Sequence, residues 1–188
     1  MASAWLYDFF MAPMERTGLA RARRRLVRDL SGRVLELGAG TGLLFRWYDS
    51  PPAAAVDVDG GALLRAARRD GRVPLLQADA AALPFPDAAF DAVVVCLCLC
   101  SIPDAASALA EARRVLRPGG ELRLLEHVRP PGSVLGPLFD WLTPAWRRIS
   151  GGCHLDRRTG ELVAAAGFET TKQRLDWRGV SLQLVARR

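Results

Sequence analysis

Short apolar runs at 34–37, 53–58, 73–77 and 90–96 alternate with segments in which apolar residues recur at helical spacing, over 15–30, 43–48, 62–69 and 104–116. That alternation predicts strands joined by helical crossovers, hence a parallel sheet with helices on both faces. Ser31-Gly32 ends the first of these helices, Pro51-Pro52 stops the second, and Pro118-Gly119-Gly120 turns the fourth into a fifth strand over 121–128. After a further helix over 156–166, strands at 169–175 and 180–186 predict a closing antiparallel hairpin. The expected fold is therefore α/β, Rossmann-like, with seven strands in one domain spanning 1–188. Two segments stand apart from this rhythm. Residues 1–14 place Trp5, Leu6, Phe9, Phe10 and Met14 on one helical face, and residues 129–152 mix Pro130, Pro131, Pro137 and Pro144 with Leu138, Phe139, Trp141, Leu142 and Trp146. The first, together with the helix that follows to residue 30, reads as a lid, with a membrane-surface helix as the second reading. The other reads as a proline-broken wall of an apolar pocket.

Chemistry concentrates where the first strand ends. Val34-Leu35-Glu36-Leu37 runs into Gly38-Ala39-Gly40-Thr41-Gly42, a strand, a tight turn and a helix start. Glycines there let the backbone adopt dihedrals closed to other residues and let a ligand lie against the main chain. The spacing is not the dinucleotide fingerprint, whose third glycine comes one residue later and whose helix start receives a pyrophosphate. Glu36 would repel a pyrophosphate and suits a cationic or hydrogen-bond-donating ligand instead. Asp57 follows Glu36 at the offset of about 20 residues at which an acid after the second strand reaches ribose hydroxyls. Asp59, ahead of Gly60-Gly61, is the rival, but it suits a helix cap better.

Composition narrows the picture modestly. The 188 residues suit one domain, and half are hydrophobic. A net charge of +6 and a pI near 9.9 hint at acidic partners, yet the basic side is arginine throughout except for Lys172, and aromatics are not interleaved with the cluster at Arg21, Arg23, Arg24, Arg25 and Arg28. A solvated helix face explains that cluster, and no nucleic-acid partner is expected. No run reaches the ~20 apolar residues of a membrane span, and residues 1–14 lack the basic start and cleavage site of a signal peptide. Cys96, Cys98 and Cys100 sit at period two, on one face of the fourth strand, as small core residues. Cys153, next to His154, reads as exposed. Paired C-x-x-C spacing is absent, so the sequence predicts no metal, and reduced thiols in a cytoplasmic compartment.

In order along the chain, Glu36-x-Gly38-x-Gly40-x-Gly42, Asp57, Ala78-Asp79-Ala80, Leu83-Pro84-Phe85, Phe90-Asp91 and Arg114-Val115-Leu116-Arg117-Pro118-Gly119-Gly120 resemble the successive signatures of the class I S-adenosylmethionine-dependent methyltransferases. The resemblance implies S-adenosylmethionine as cofactor and a small-molecule acceptor. It assigns the methionyl part to Glu36, Gly38, Ala39, Gly40, Thr41 and Gly42, the ribose to Asp57 with Val58 beside it, and the adenine amino group to Asp79 with Ala80. Cys96 and Leu97 would flank the cofactor. Cys96-Leu97-Cys98-Leu99-Cys100-Ser101-Ile102, Leu125-Glu126-His127-Val128 and Gly152-Cys153-His154-Leu155-Asp156 look further like the alkyl-thiol S-methyltransferases. His127 ends the fifth strand and His154 follows the apolar insertion, so both are placed to face a pocket at the sheet's carboxyl edge and are the candidate catalytic residues. Quinone-pathway and phospholipid methyltransferases share the general pattern, as would a non-catalytic cofactor-binding protein of the same fold.

Overall fold

The structure, a computed structural model, describes residues 18–150 and 152–188. The helix expected over 1–14 lies outside them. Helix α1 (Ala20–Val27) precedes β1 (Val34–Leu37) and β2 (Ala54–Asp57); α2 (Gly60–Arg69) leads to β3 (Leu75–Gln77) and β4 (Phe90–Cys96); α3 (Ala105–Val115) leads to β5 (Leu116–His127). Then come α4 (Leu135–Ile149), α5 (Thr159–Ala165) and the hairpin of β6 (Glu169–Asp176) and β7 (Ser181–Arg187).

The seven strands form one sheet in the order β3-β2-β1-β4-β5-β7-β6. All pairs from β3 to β5 are parallel, and β7 runs antiparallel to both β5 and β6. Being covered on both sides, the central strands carry no polar face, and this is why they read as continuous apolar runs. Leu35, Leu37, Val93 and Val95 pack with Ala108, Leu109 and Ala112 of α3 and Val163 of α5. Val34, Ala92, Val94 and Leu125 turn to the opposite face and pack with Leu26 and Val27 of α1. On α1, Arg23 is buried, whereas Arg21, Arg24, Arg25 and Arg28 are exposed, so the arginine cluster is mostly the solvated face expected of it.

Two expected elements differ. The helix anticipated over 43–48 is a single 3-10 turn, Phe45–Trp47. Phe45 N–H is spent on the Gly42 carbonyl, and the backbone turns extended again at Tyr48, because Pro51-Pro52 lies immediately ahead. Conversely, the segment 129–152 is not broken by its prolines: α4 is 15 residues long. Pro137 falls in its first turn, where no intrahelical N–H is needed. Pro144 is accommodated inside it, next to Thr143, whose hydroxyl bonds back to the Phe139 carbonyl at 2.7 Å. Much of the apolar surface of α4 faces outward, with Trp141 76% exposed and Val134, Leu138, Leu142 and Trp146 also uncovered. Among the described residues no helix is long and apolar enough to cross a membrane.

Candidate active site

β1 lies between β2 and β4, and the chain leaves it toward β2 before returning to the other side at β4. The connections at the carboxyl ends of β1 and β4 therefore diverge, which opens the crevice where ligands bind in sheets of this kind. The glycine turn fills the β1 side. Gly38 and Ala39 both donate to the Val56 carbonyl, at 2.8 and 3.0 Å, and Gly42 donates to the Ala39 carbonyl at 2.9 Å. Gly38, Gly40 and Gly42 all have positive φ, at 68°, 53° and 77°. Their reasons for being glycine differ. A β-carbon at Gly38 would overlap the Cys98 sulfur, and one at Gly42 would press on the Phe45 ring, whereas one at Gly40 would meet nothing within 4 Å. Gly40 alone faces open space.

Asp57 ends β2 and secures that open glycine. Its Oδ2 accepts from Gly40 N at 2.8 Å and its Oδ1 from Asp59 N at 2.9 Å. Asp59 caps α2, accepting from Gly61 and Ala62, as the sequence suggested. Val58 stands 66% exposed beside Asp57. Asp79, after β3, is exposed and accepts from Ala81 N at 2.9 Å, with Ala80 half-buried.

Glu36 is placed differently from the other two acids. It is 2% exposed, on the sheet face covered by α1. Burial pushes its carboxyl up to about 8, opposed by the nearby Tyr48 hydroxyl and Arg23 charge. The Tyr48 hydroxyl does not reach hydrogen-bonding geometry with it, so Glu36 Oε2 is a buried acceptor left unsatisfied inside the fold.

On the far side of the crevice β4 ends at Cys96, and Leu97 takes φ 55°, a conformation uncommon for a non-glycine residue. Leu97 N bonds to the Leu125 carbonyl at 2.7 Å, and the backbone then tightens into a 3-10 turn, Leu99–Ser101. Glu126 organises that turn. Fully buried in β5, it accepts the N–H groups of Cys98, Leu99 and Cys100 at 2.9, 2.8 and 3.1 Å. Burial still raises its pKa, against these three bonds. Arg157 closes the turn from the other end by donating to the Leu99 and Ile102 carbonyls. The three even-numbered cysteines thus do not share a strand face: the strand is over at Cys96, and Cys100 belongs to the turn.

The turn carries Cys100 to two residues remote in sequence. Cys153 Sγ lies 3.5 Å from Cys100 Sγ and 3.9 Å from His127 Nδ1. Cys153, expected at the surface, is 7% exposed, because His154 N bonds to the Cys100 carbonyl and draws this irregular segment inward. Cys153 is held below the ordinary thiol range, chiefly by Cys100 and then by His127 and the Trp146 indole, while Cys100 is raised well above it. Burial would lower His127, but the Cys153 interaction outweighs it and raises that imidazole. His154 turns elsewhere, its Nδ1 3.5 Å from Asp156, and burial and the charges of Arg157 and Arg147 lower it. The structure therefore joins His127 to Cys153 and leaves His154 with Asp156. Glu126 and Arg157 had no assigned role in the sequence. A lone acid in the apolar run Leu124-Leu125-Glu126 was the available signal, since a buried carboxylate demands partners.

The family described as a methyltransferase domain matches residues 35–124, which include the glycine turn, Asp57, Asp79 and the Leu97 turn. The rat thiol S-methyltransferase TMT1B is 34% identical, over 80% of this chain and 67% of its own length. The ubiquinone/menaquinone biosynthesis C-methyltransferase UbiE of Vibrio parahaemolyticus is also 34% identical, over 78% of this chain, which spans only 60% of that protein's length. The crystal structure of an S-adenosylmethionine-dependent methyltransferase from Mesorhizobium loti superposes with a TM-score of 0.70 at 20% identity, covering 89% of this chain and 96% of that one.

Proposed function

Since the chain belongs to the class I S-adenosylmethionine-dependent methyltransferases, we propose that it transfers a methyl group from S-adenosylmethionine to a small apolar acceptor, a thiol. The observation that carries the reading is the Gly40–Asp57 bond: a positive-φ glycine with open space above it, held by the acid that ends the neighbouring strand. The residues present fit this cofactor. Gly40 leaves room for a ligand against the main chain, Val58 offers an uncovered apolar surface, and Glu36 Oε2 is an unsatisfied acid oxygen suited to a cation. The turn from Gly38 to Gly42 with Glu36 would hold the methionyl part, Asp57 and Val58 the ribose, Asp79 and Ala80 the adenine, with Cys96 and Leu97 alongside. When bound, the cofactor supplies an electrophilic methyl on a positively charged sulfur that is already a good leaving group.

What remains for the protein is alignment, which contributes about 7–11 kcal/mol when two reactants are held in attack geometry, and removal of one proton. A thiol, with a pKa near 8.5, is partly ionised at neutral pH and needs little further help. His127, which ends β5 with Cys153 beside it, is the candidate to take up that proton, with His154 the neighbouring candidate. Trp146 of α4 is 41% exposed, a wall suited to an apolar acceptor. In this reading 129–152 forms one side of the acceptor pocket and the N-terminal 30 residues form its lid. The exposed Trp141 and Leu138 fit an acceptor presented at a membrane surface. The thiol assignment draws support from the likeness to the rat thiol S-methyltransferase, which extends well past the residues matched by the family as a whole. Its rival is a quinol, after the likeness to UbiE.

The test is a transfer assay with methyl-labelled cofactor over alkyl thiols, phenols, quinols and lipid amines. Label in an S-methyl thioether is expected. Label only in a quinol or a lipid amine overturns the thiol assignment, and label in none of them overturns methyl transfer in favour of a cofactor-binding protein.

A further inference from the structure

Cys100, His127 and Cys153 come from three separate connections at the same sheet edge, and their ligand atoms all lie within 4.8 Å of one another. A tetrahedral zinc ion, with Zn–S of about 2.3 Å and Zn–N of about 2.0–2.1 Å, sets its ligand atoms about 3.5–3.8 Å apart. The observed separations of 3.5 Å between the sulfurs and 3.9 Å from Cys153 Sγ to His127 Nδ1 lie within about 0.4 Å of those edges, a gap that small side-chain rotations close.

From this geometry we infer that Cys100, His127 and Cys153 form a zinc site with three protein ligands. Two thiolates and one imidazole are a soft donor set that favours zinc over magnesium or calcium, and two negative charges neutralise the ion. His127 binds through Nδ1, which requires the tautomer with its proton on Nε2. The outer contacts a metal site needs are in place as well. Glu126 fixes the backbone of Cys100, Ser150 Oγ accepts from Cys153 N at 3.2 Å, and His154 N ties the two cysteine segments together at 2.8 Å. Three protein ligands instead of four is the count of zinc sites that keep a position for water or substrate. This last step rests on the thiol reading above and would replace His127 as the proton acceptor: the open position would receive the acceptor sulfur as a thiolate, its proton passing to solvent and its lone pair to the metal.

The test uses the full chain, reduced with a phosphine, stripped with a chelator and titrated with Co2+ and then Zn2+. One equivalent of Co2+ is expected, with a thiolate-to-cobalt charge-transfer band that Zn2+ abolishes. Cys100→Ser, Cys153→Ser and His127→Gln should each weaken binding at least tenfold, whereas Cys98→Ser, whose sulfur faces Gly38, should not. Absence of stoichiometric binding by the unaltered protein overturns the site whether or not the variants fold. Binding that survives in the double variant Cys100→Ser/Cys153→Ser overturns it too. Metal uptake is read without any acceptor, so a protein that transfers methyl groups but takes up no metal refutes the site alone, and one that binds metal but transfers no methyl refutes only the activity.

Discussion

Gly38 and Cys98 are packed so closely that no side chain fits between them, which locks the turn after β1 to the turn after β4. The β1 side and the β4 side of the crevice are thereby one mechanical unit. Gly38→Ala should cost about 2–5 kcal/mol, from overpacking together with a φ that L-residues avoid. Denaturant titrations of Gly38→Ala, Cys98→Gly and the double variant test this. A coupling of at least about 1 kcal/mol in the double-mutant cycle is expected, and additive losses would show the two turns to be independent.

Asp57→Asn removes the charge and one acceptor from a residue that holds two backbone N–H groups. Hydrogen bonds to charged groups contribute about 1.5–3 kcal/mol, so affinity for S-adenosylhomocysteine should fall by about 10- to 150-fold. Asp59→Asn keeps its cap and should leave that affinity within about threefold, since Asn and Asp cap helices equally well.

Glu36 gives the protein a pH dependence of determinate sign. Its folded pKa of about 8 lies above the unfolded value of 4.5, so the folded state holds the extra proton. The associated stability is complete below pH 4.5 and is lost as pH rises through 8, a total of about 5 kcal/mol. Glu36→Gln keeps the shape without the charge. Its melting temperature relative to the unaltered protein should climb between pH 5 and pH 9, and a constant difference would contradict the buried carboxyl. A cationic ligand would favour the ionised form, so binding at pH 7 should release close to one proton in the unaltered protein and none in Glu36→Gln, as read by calorimetry in buffers of different ionisation enthalpy.

Glu126→Gln leaves one carbonyl oxygen where two carboxylate oxygens served three N–H groups. At least one buried N–H then lacks a partner, at a cost of about 1–3 kcal/mol. Hydrogen exchange should quicken at Cys98, Leu99 and Cys100 ahead of the residues of β4, and uniform exchange would show that Glu126 does not hold the turn.

The parts legible in the sequence were those set by local chemistry. Glycines at 38, 40 and 42 after an apolar strand and Asp59 before Gly60-Gly61 each announce a backbone requirement, and each is met; Asp57, read as a ribose ligand, ends β2 and holds Gly40 N and Asp59 N. Burial at long range was not legible. The period-two spacing of Cys96, Cys98 and Cys100 suggested one strand face, but periodicity carries no mark of where a strand stops, and Leu97 with its positive φ stops this one. Cys153 looked exposed because its neighbours are glycine and histidine, and only the bond from His154 N to Cys100 brings it inward. Prolines at 137 and 144 argued against a helix, yet one sits where a helix tolerates it and α4 continues past the other.

The central claim is that the edge formed by the glycine turn and Asp57 binds S-adenosylmethionine. Titration calorimetry of the full chain with S-adenosylhomocysteine, beside Asp57→Ala and Gly40→Val, measures this directly. The structure predicts one-to-one micromolar binding that both substitutions abolish, and no heat of binding from the folded, unaltered protein would contradict it.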